Sequence, residues 1–157
     1  MKPNIEIAEN NLKKVALLLN TLLADEYVLY TKTRNAHWNI QGQNFMELHK
    51  FFESQYEALD IVIDDVAERV RTRGHFALGS LKDFTEITRL TDHNQDFTDQ
   101  KHIIQTLLDD HETLISSLRN DLSVAAEKYK DLGTVDFLTG LIEQHEKMSW
   151  MLRAYLS

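Results

Sequence analysis

Apolar residues recur every three or four positions through four long stretches of this chain. That is the spacing of a helix with one buried face. The first stretch covers 6–35, where Leu12, Val15, Leu19 and Leu22 mark the stripe and Leu18, Leu23 and Leu29 widen it. The second runs over 45–72, with Leu48, Phe52, Leu59, Val62, Ile63, Val66 and Val70 on one arc. The third covers 96–128, with Ile104, Leu107, His111, Leu114, Leu118, Leu122 and Ala125 in register. The fourth covers 135–155, with Val135, Leu138, Leu141, Ile142, His145, Met148 and Leu152 facing inward.

Breaks between these stretches set the topology. Pro3 is the only proline. His37 and Trp38 fall at the first helix end or in the connection, and Asn39 to Gln43, with Gly42, make a short turn. Asn44 followed three residues later by Glu47 reads as a capping box. Thr72-Arg73-Gly74 is a helix stop. In the connection over 75–95, Gly79, Ser80, Thr91, Asp92 and Asn94 are punctuation, and Ser80 with Asp83 starts a short helix through Ile87. A connection this long is not a hairpin, so the second and third long helices are expected to run parallel. Asp131-Leu132-Gly133 breaks the chain before the last helix, with Thr134 as its cap. The predicted fold is all-α: one domain over 1–157, a ferritin-like four-helix bundle with a short extra helix in the crossover between helices two and three.

Composition narrows the function. The chain has 157 residues and no cysteine, which removes disulfides, thiolate metal sites and cysteine nucleophiles. The net charge of −8 argues against general nucleic-acid binding and suits attraction of cations. The first residues lack the apolar core of a signal peptide, and no apolar run reaches the length of a membrane span, so a cytoplasmic protein is expected.

The second helix carries the candidate chemistry. On a wheel of about 100° per residue with His49 at zero, Glu53, Asp64 and Glu68 fall within about 100° of it, opposite the apolar arc. His37 lies just before this helix. Glu57 and Asp60 share the polar arc, so the stripe also reads as an ordinary solvated face. Taken as ligands, His49 with Glu53 and Asp64 with Glu68 form two pairs about 16 Å apart along the axis. Metal bonds are only about 2.0–2.6 Å long, so one straight helix cannot gather all four on one metal. A second, antiparallel copy can, with a twofold axis near residues 58 and 59, and it makes two identical sites per dimer. Histidine and carboxylate ligands suit iron, manganese or zinc.

At His37-Trp38-Asn39, and again at Asp64-Asp65-Val66-Ala67-Glu68-Arg69, the chain resembles the Dps family. These are small ferritin-like proteins of starved or oxidatively stressed bacteria. The family's ligand spacing falls on His37, His49, Glu53, Asp64 and Glu68, and the resemblance spans essentially the whole chain. Glu53 stands where the family usually has Asp, one methylene longer with the same charge. The resemblance implies a homo-dodecameric shell with catalytic metal sites at twofold interfaces, two iron ions per site. It implies a ferroxidase that oxidises Fe(II), preferably with hydrogen peroxide, and stores ferric mineral. Asp64 and Glu68 would hold the tighter iron with His37 of the partner chain, and His49 and Glu53 would serve the second. Trp38 would lie beside the site, as a trap for stray oxidising equivalents or as apolar filler at an interface. Asp131 and Asp136 correspond to the region where family members line an acidic pore that admits iron; acids there also simply stabilise a helix N-terminus. The N-terminus offers Lys2, then Glu6 and Glu9, then Lys13 and Lys14 already in the first helix, and the C-terminus has no basic tail, so weak or absent DNA binding is expected. The competing reading is a DNA-associating or structural shell with little iron chemistry.

The larger ferritins' intrasubunit centre, Glu-x-x-His on two helices, has no counterpart here beyond Asp99-x-x-His102. The other histidines read as structural: His111 and His145 in the core or an interface, His75, His93 and His102 at the surface or in loops.

Overall fold

The structure is a computed structural model that describes residues 3–91, 97 and 99–157. Lys2, Asp92, His93 and Asn94 lie outside the described residues. Five α-helices follow one another: α1 (Glu9–Asn39), α2 (Phe45–Thr72), α3 (Leu81–Ile87), α4 (Gln100–Val124) and α5 (Leu132–Tyr155). A π-helical turn, Ala125–Tyr129, continues α4 before Lys130 reverses the chain in a left-handed conformation. Four long helices bury one apolar core, and α3 sits in the crossover, as the pattern predicts.

Contacts between helices fix their directions. Asn11 meets Tyr129 and Glu26 meets His145, so α1 and α5 run together. Lys32 pairs with Asp110, while Asp25 reaches Asp121 through Arg89, so α4 runs against α1. Since α1 and α2 form a hairpin through a short turn, α2 and α4 are parallel. This is the ferritin-like arrangement with one long crossover.

Several boundaries differ from the sequence pattern. The first helix starts at Glu9 rather than 6 and continues to Asn39, because Ala36 and Ile40 are both buried and the chain reverses only around Gly42, at φ +117°. His37 and Trp38 therefore belong to α1. The capping box at α2 does not form: Asn44 makes no side-chain cap, and Glu47 instead accepts from the Tyr155 hydroxyl at 3.0 Å. Ser80 does cap α3 by accepting from the Asp83 N–H. The fourth long helix is capped by Asp131, not Thr134, and starts at Leu132.

Asp131 does more than cap. It is 1% exposed, accepts from the Thr134 N–H and hydroxyl, and ion-pairs with Arg73 at 2.9 Å and Arg69 at 3.5 Å. Burial alone would raise its pKa. The Thr134 hydrogen bonds and the Arg73 charge outweigh that and hold it below the ordinary carboxylate range.

Replacing Asp131 by alanine strands the two arginines and removes the cap, so a loss of about 2–3 kcal/mol is expected in urea unfolding. The depressed carboxylate gives the sign with pH. The Asp131 contribution is fully present above the unfolded carboxylate value, about 3.9, and is lost as pH falls through the lower folded value. The difference in unfolding free energy between wild type and Asp131→Ala should therefore shrink in acid.

Candidate metal centre

The α1–α2 hairpin brings His37 and His49 face to face. Their rings stack with centroids 3.8 Å apart and planes 18° from parallel. Each Nδ1 donates to the other residue's backbone carbonyl: His37 Nδ1 to His49 O at 2.7 Å, and His49 Nδ1 to His37 O at 2.8 Å. A carbonyl oxygen only accepts, so both Nδ1 atoms carry the proton. In the neutral rings both Nε2 atoms then keep a lone pair, which is the tautomer a metal-binding imidazole requires. Phe45 stacks on His49 at 5.2 Å, and Tyr56 meets His37 edge-on at 5.2 Å. Both rings are thus clamped from outside.

Glu53 lies one turn beyond His49 and is half-buried. Burial, and then the charge of Glu53, push the Tyr56 phenol above its ordinary range, so this carboxylate acts on the end of the stack nearest His37. Asp64 and Glu68 are exposed farther along α2, and neither forms a hydrogen bond or ion pair with another described residue. Asp64 borders a shallow groove with Asp60, Ile61, Ile63, Asp65 and Ala67. Ile61, on the rim of that groove, is 65% exposed.

One chain therefore assembles the two histidines, with Glu53 beside them, and leaves Asp64 and Glu68 apart. Among the described residues no group of three His, Asp or Glu side chains converges on a metal-sized space. The axial separation of about 16 Å between the two half-sets explains why.

Trp38 projects outward, 62% exposed, with the Arg34 guanidinium 5.2 Å above its ring. Arg34 also lies 4.7 Å from the Tyr56 ring and donates to the Tyr30 hydroxyl at 2.6 Å. Asp136 is exposed on the first turns of α5, whereas the Asp131 carboxylate points inward onto Arg73, Arg69 and Thr134. Asp99-x-x-His102 is a helix cap, with Asp99 accepting from the His102 N–H.

Phe45, Tyr56 and Arg34 were not singled out by sequence reasoning. A signal existed for two of them: Phe45 precedes His49 by four residues and Tyr56 follows it by seven, spacings that share a helical face.

The ferritin-like domain family matches residues 16–157. A low temperature-induced protein of Nostoc, itself uncharacterised, is 40% identical over 153 residues, covering 98% of this chain and 86% of that protein. The DNA protection during starvation protein of Helicobacter pylori is 34% identical over 140 residues, covering 89% of this chain and 96% of that protein. The crystal structure of a Dps protein from Vibrio cholerae, described as a member of a broad superfamily of ferritin-like diiron-carboxylate proteins, superposes with a TM-score of 0.92 at 35% identity. That match covers 100% of this chain and 98% of the other. The shared fold, the identity along nearly the full length and the family's histidine and carboxylate spacing on α1 and α2 together make this chain a member of the Dps family of ferritin-like proteins.

Proposed function

We propose that the chain is a ferroxidase and iron store whose catalytic centre forms between two antiparallel copies of α2. The observation that carries this reading is the clamped histidine pair, whose two Nδ1–H groups are tied to backbone carbonyls. A pair held this way has its Nε2 atoms ready for a metal at no further cost in ordering. Asp64 and Glu68, unpartnered on the same helix, supply the hard oxygen donors that ferric ion favours. The exposed Ile61 supports an α2–α2 contact, because it lies close to the position a twofold axis would take.

In this reading His37, His49 and Glu53 of one chain face Asp64 and Glu68 of the next, and each site takes two Fe(II) as substrate. Hydrogen peroxide accepts one electron from each iron and, with two protons, leaves as two waters. The ferric product moves into a dodecameric shell as mineral, in the bacterial cytoplasm. Pairing both electrons at one centre keeps hydroxyl radical from forming. Trp38, exposed beside His37, is placed to take up an oxidising equivalent that escapes. Glu53 keeps the charge of the usual aspartate but reaches one methylene farther, which alters the second iron position more than the first. Asp136 remains the candidate pore acid. The net charge of −8 opposes phosphate binding and supports weak or absent DNA association.

Anaerobic Fe(II) followed by hydrogen peroxide, monitored by ferric absorbance, tests the centre. Wild type should consume about one peroxide per two irons, as electron balance demands of a two-electron oxidant, and keep the ferric product soluble. An Asp64→Ala, Glu68→Ala variant should oxidise iron at least ~10-fold more slowly, since losing even an outer-shell partner of a metal ligand costs about that much. Equal rates would sink the shared ferroxidase site and favour a shell with little iron chemistry.

A separate measurement addresses the histidine pair without iron. Long-range nitrogen–proton NMR of the metal-free protein near pH 8 should show His37 and His49 protonated at Nδ1 and bare at Nε2. Adding Zn(II) as a redox-silent probe should shift the Nε2 resonances. Protonation at Nε2 in the free protein would contradict the proposed presentation of the ligands.

A further inference from the structure

Three ionisable side chains from three helices meet in the middle of the bundle, away from the proposed iron site. Glu26 on α1, His111 on α4 and His145 on α5 are each 0% exposed. Glu26 Oε1 lies 2.9 Å from His145 Nε2, and His145 Nδ1 lies 3.0 Å from His111 Nδ1. The far ends of this chain, Glu26 Oε2 and His111 Nε2, are buried with no hydrogen-bond partner. We propose that Glu26, His145 and His111 form an acid-sensitive latch that joins the α1–α2 hairpin to the α4–α5 hairpin and releases when the histidine pair is forced to take a second proton.

Proton counting carries the argument. A nitrogen–nitrogen hydrogen bond needs one N–H and one bare lone pair. The 3.0 Å contact therefore exists when both rings are neutral, or when one is cationic, but not when both are. Two imidazolium rings would set one N–H against another and place two positive charges side by side, against a single carboxylate. His111 is the ring that stays neutral: burial, and then the neighbouring His145, hold it well below the ordinary histidine range. A proton on His111 Nε2 would also find no acceptor, because that atom is buried and unpartnered. The other charged groups beside the latch are already committed. Next along α4, Asp110 is ion-paired to Lys32 of α1. From the α2 side comes uncharged Gln55, whose amide meets the Met148 carbonyl three residues beyond His145.

The sign follows from linkage. In the unfolded chain both histidines bind a proton below about pH 6.5; the latched bundle accepts at most one of the two. Folding equilibrium is thus opposed by at least one excluded proton, and stability falls as pH falls. Because the His145–Glu26 contact bridges the hairpins, the opening that admits the proton separates α5 from α1.

Urea unfolding of the full chain from pH 8 to pH 4.5, at fixed protein concentration, tests this with His111→Gln beside wild type. Glutamine keeps a donor toward His145 and does not titrate. Below about pH 6.5 the folding equilibrium constant of wild type should fall about tenfold per pH unit more steeply than that of the variant, the slope of one proton. Parallel curves would overturn the latch. Should His111→Gln fail to fold, NMR of the wild-type imidazoles decides. His111 remaining neutral in the folded protein down to the acid transition supports the latch, and titration near the ordinary histidine value without unfolding refutes it.

Discussion

A charge buried in an apolar core must be met by a partner, and in this bundle α1 is where that constraint concentrates. Asp25, Glu26 and Lys32 are all buried on a helix whose other buried positions are mostly leucine, valine and alanine. Asp25 accepts from the Thr88 hydroxyl, the Arg89 N–H and the Arg89 guanidinium, which pins the crossover to α1. Glu26 takes His145 of α5, and Lys32 takes Asp110 of α4 and the Thr91 carbonyl. Each unmet partner would cost several kilocalories, so on the order of 3–5 kcal/mol per broken pair opposes any slip in register. Hydrophobic burial packs the helices together, and these pairs select one alignment among several that bury similar area.

Register fixed in this way carries through to the proposed iron site. The reciprocal His37–His49 bonds need the two backbones of the α1–α2 hairpin at one height, and a slip of one residue would rotate one ring out of the stack. The same hairpin leaves Asp64 and Glu68 exposed near Asp60 and Asp65, a cluster of like charges that repel one another in an isolated chain. A cation or an electropositive partner surface relieves that repulsion. Stability and function therefore pull in opposite directions along α2, and the proposed shared centre is where they would be reconciled.

The helices were legible because their apolar spacing is long and barely interrupted. Leu48, Phe52, Leu59, Val62, Val66 and Val70, all on the stripe, are buried in α2, whereas Ile63 is only half-buried and the polar Gln55, which the stripe did not name, is buried. The parallel course of α2 and α4 followed from connection length alone. Helix ends were less legible, since Asn44 and Thr134 have the chemistry of caps while tertiary partners decide which residue caps. Glu47 was drawn off by Tyr155, and Asp131 was pulled into the cap by Arg73. Ligand spacing marked His37 and His49, but not the carbonyls that fix their tautomers, because those bonds depend on two helices lying side by side. Asp25 and Glu26 within a leucine-rich stripe were a visible anomaly, and an acid pair at a core position is a sign of buried partners elsewhere in the chain.

The two histidine pairs show how partners, rather than residue type, assign chemistry. His37 and His49 each spend the Nδ1–H on a carbonyl that has no proton to give or take, so both rings are fixed in one tautomer and Nε2 is left for a metal. His111 and His145 spend Nδ1 on each other, so the proton count of one ring limits that of its neighbour. The first arrangement suits ligands, since it removes rotational and tautomeric freedom before a metal arrives. The second suits proton sensing, since its bond is lost once both rings are cationic. Held on the α1–α2 hairpin, with His37 buried and His49 half-buried, the first pair would serve the proposed shared centre; sealed in the core, the second can respond only by opening the bundle around it.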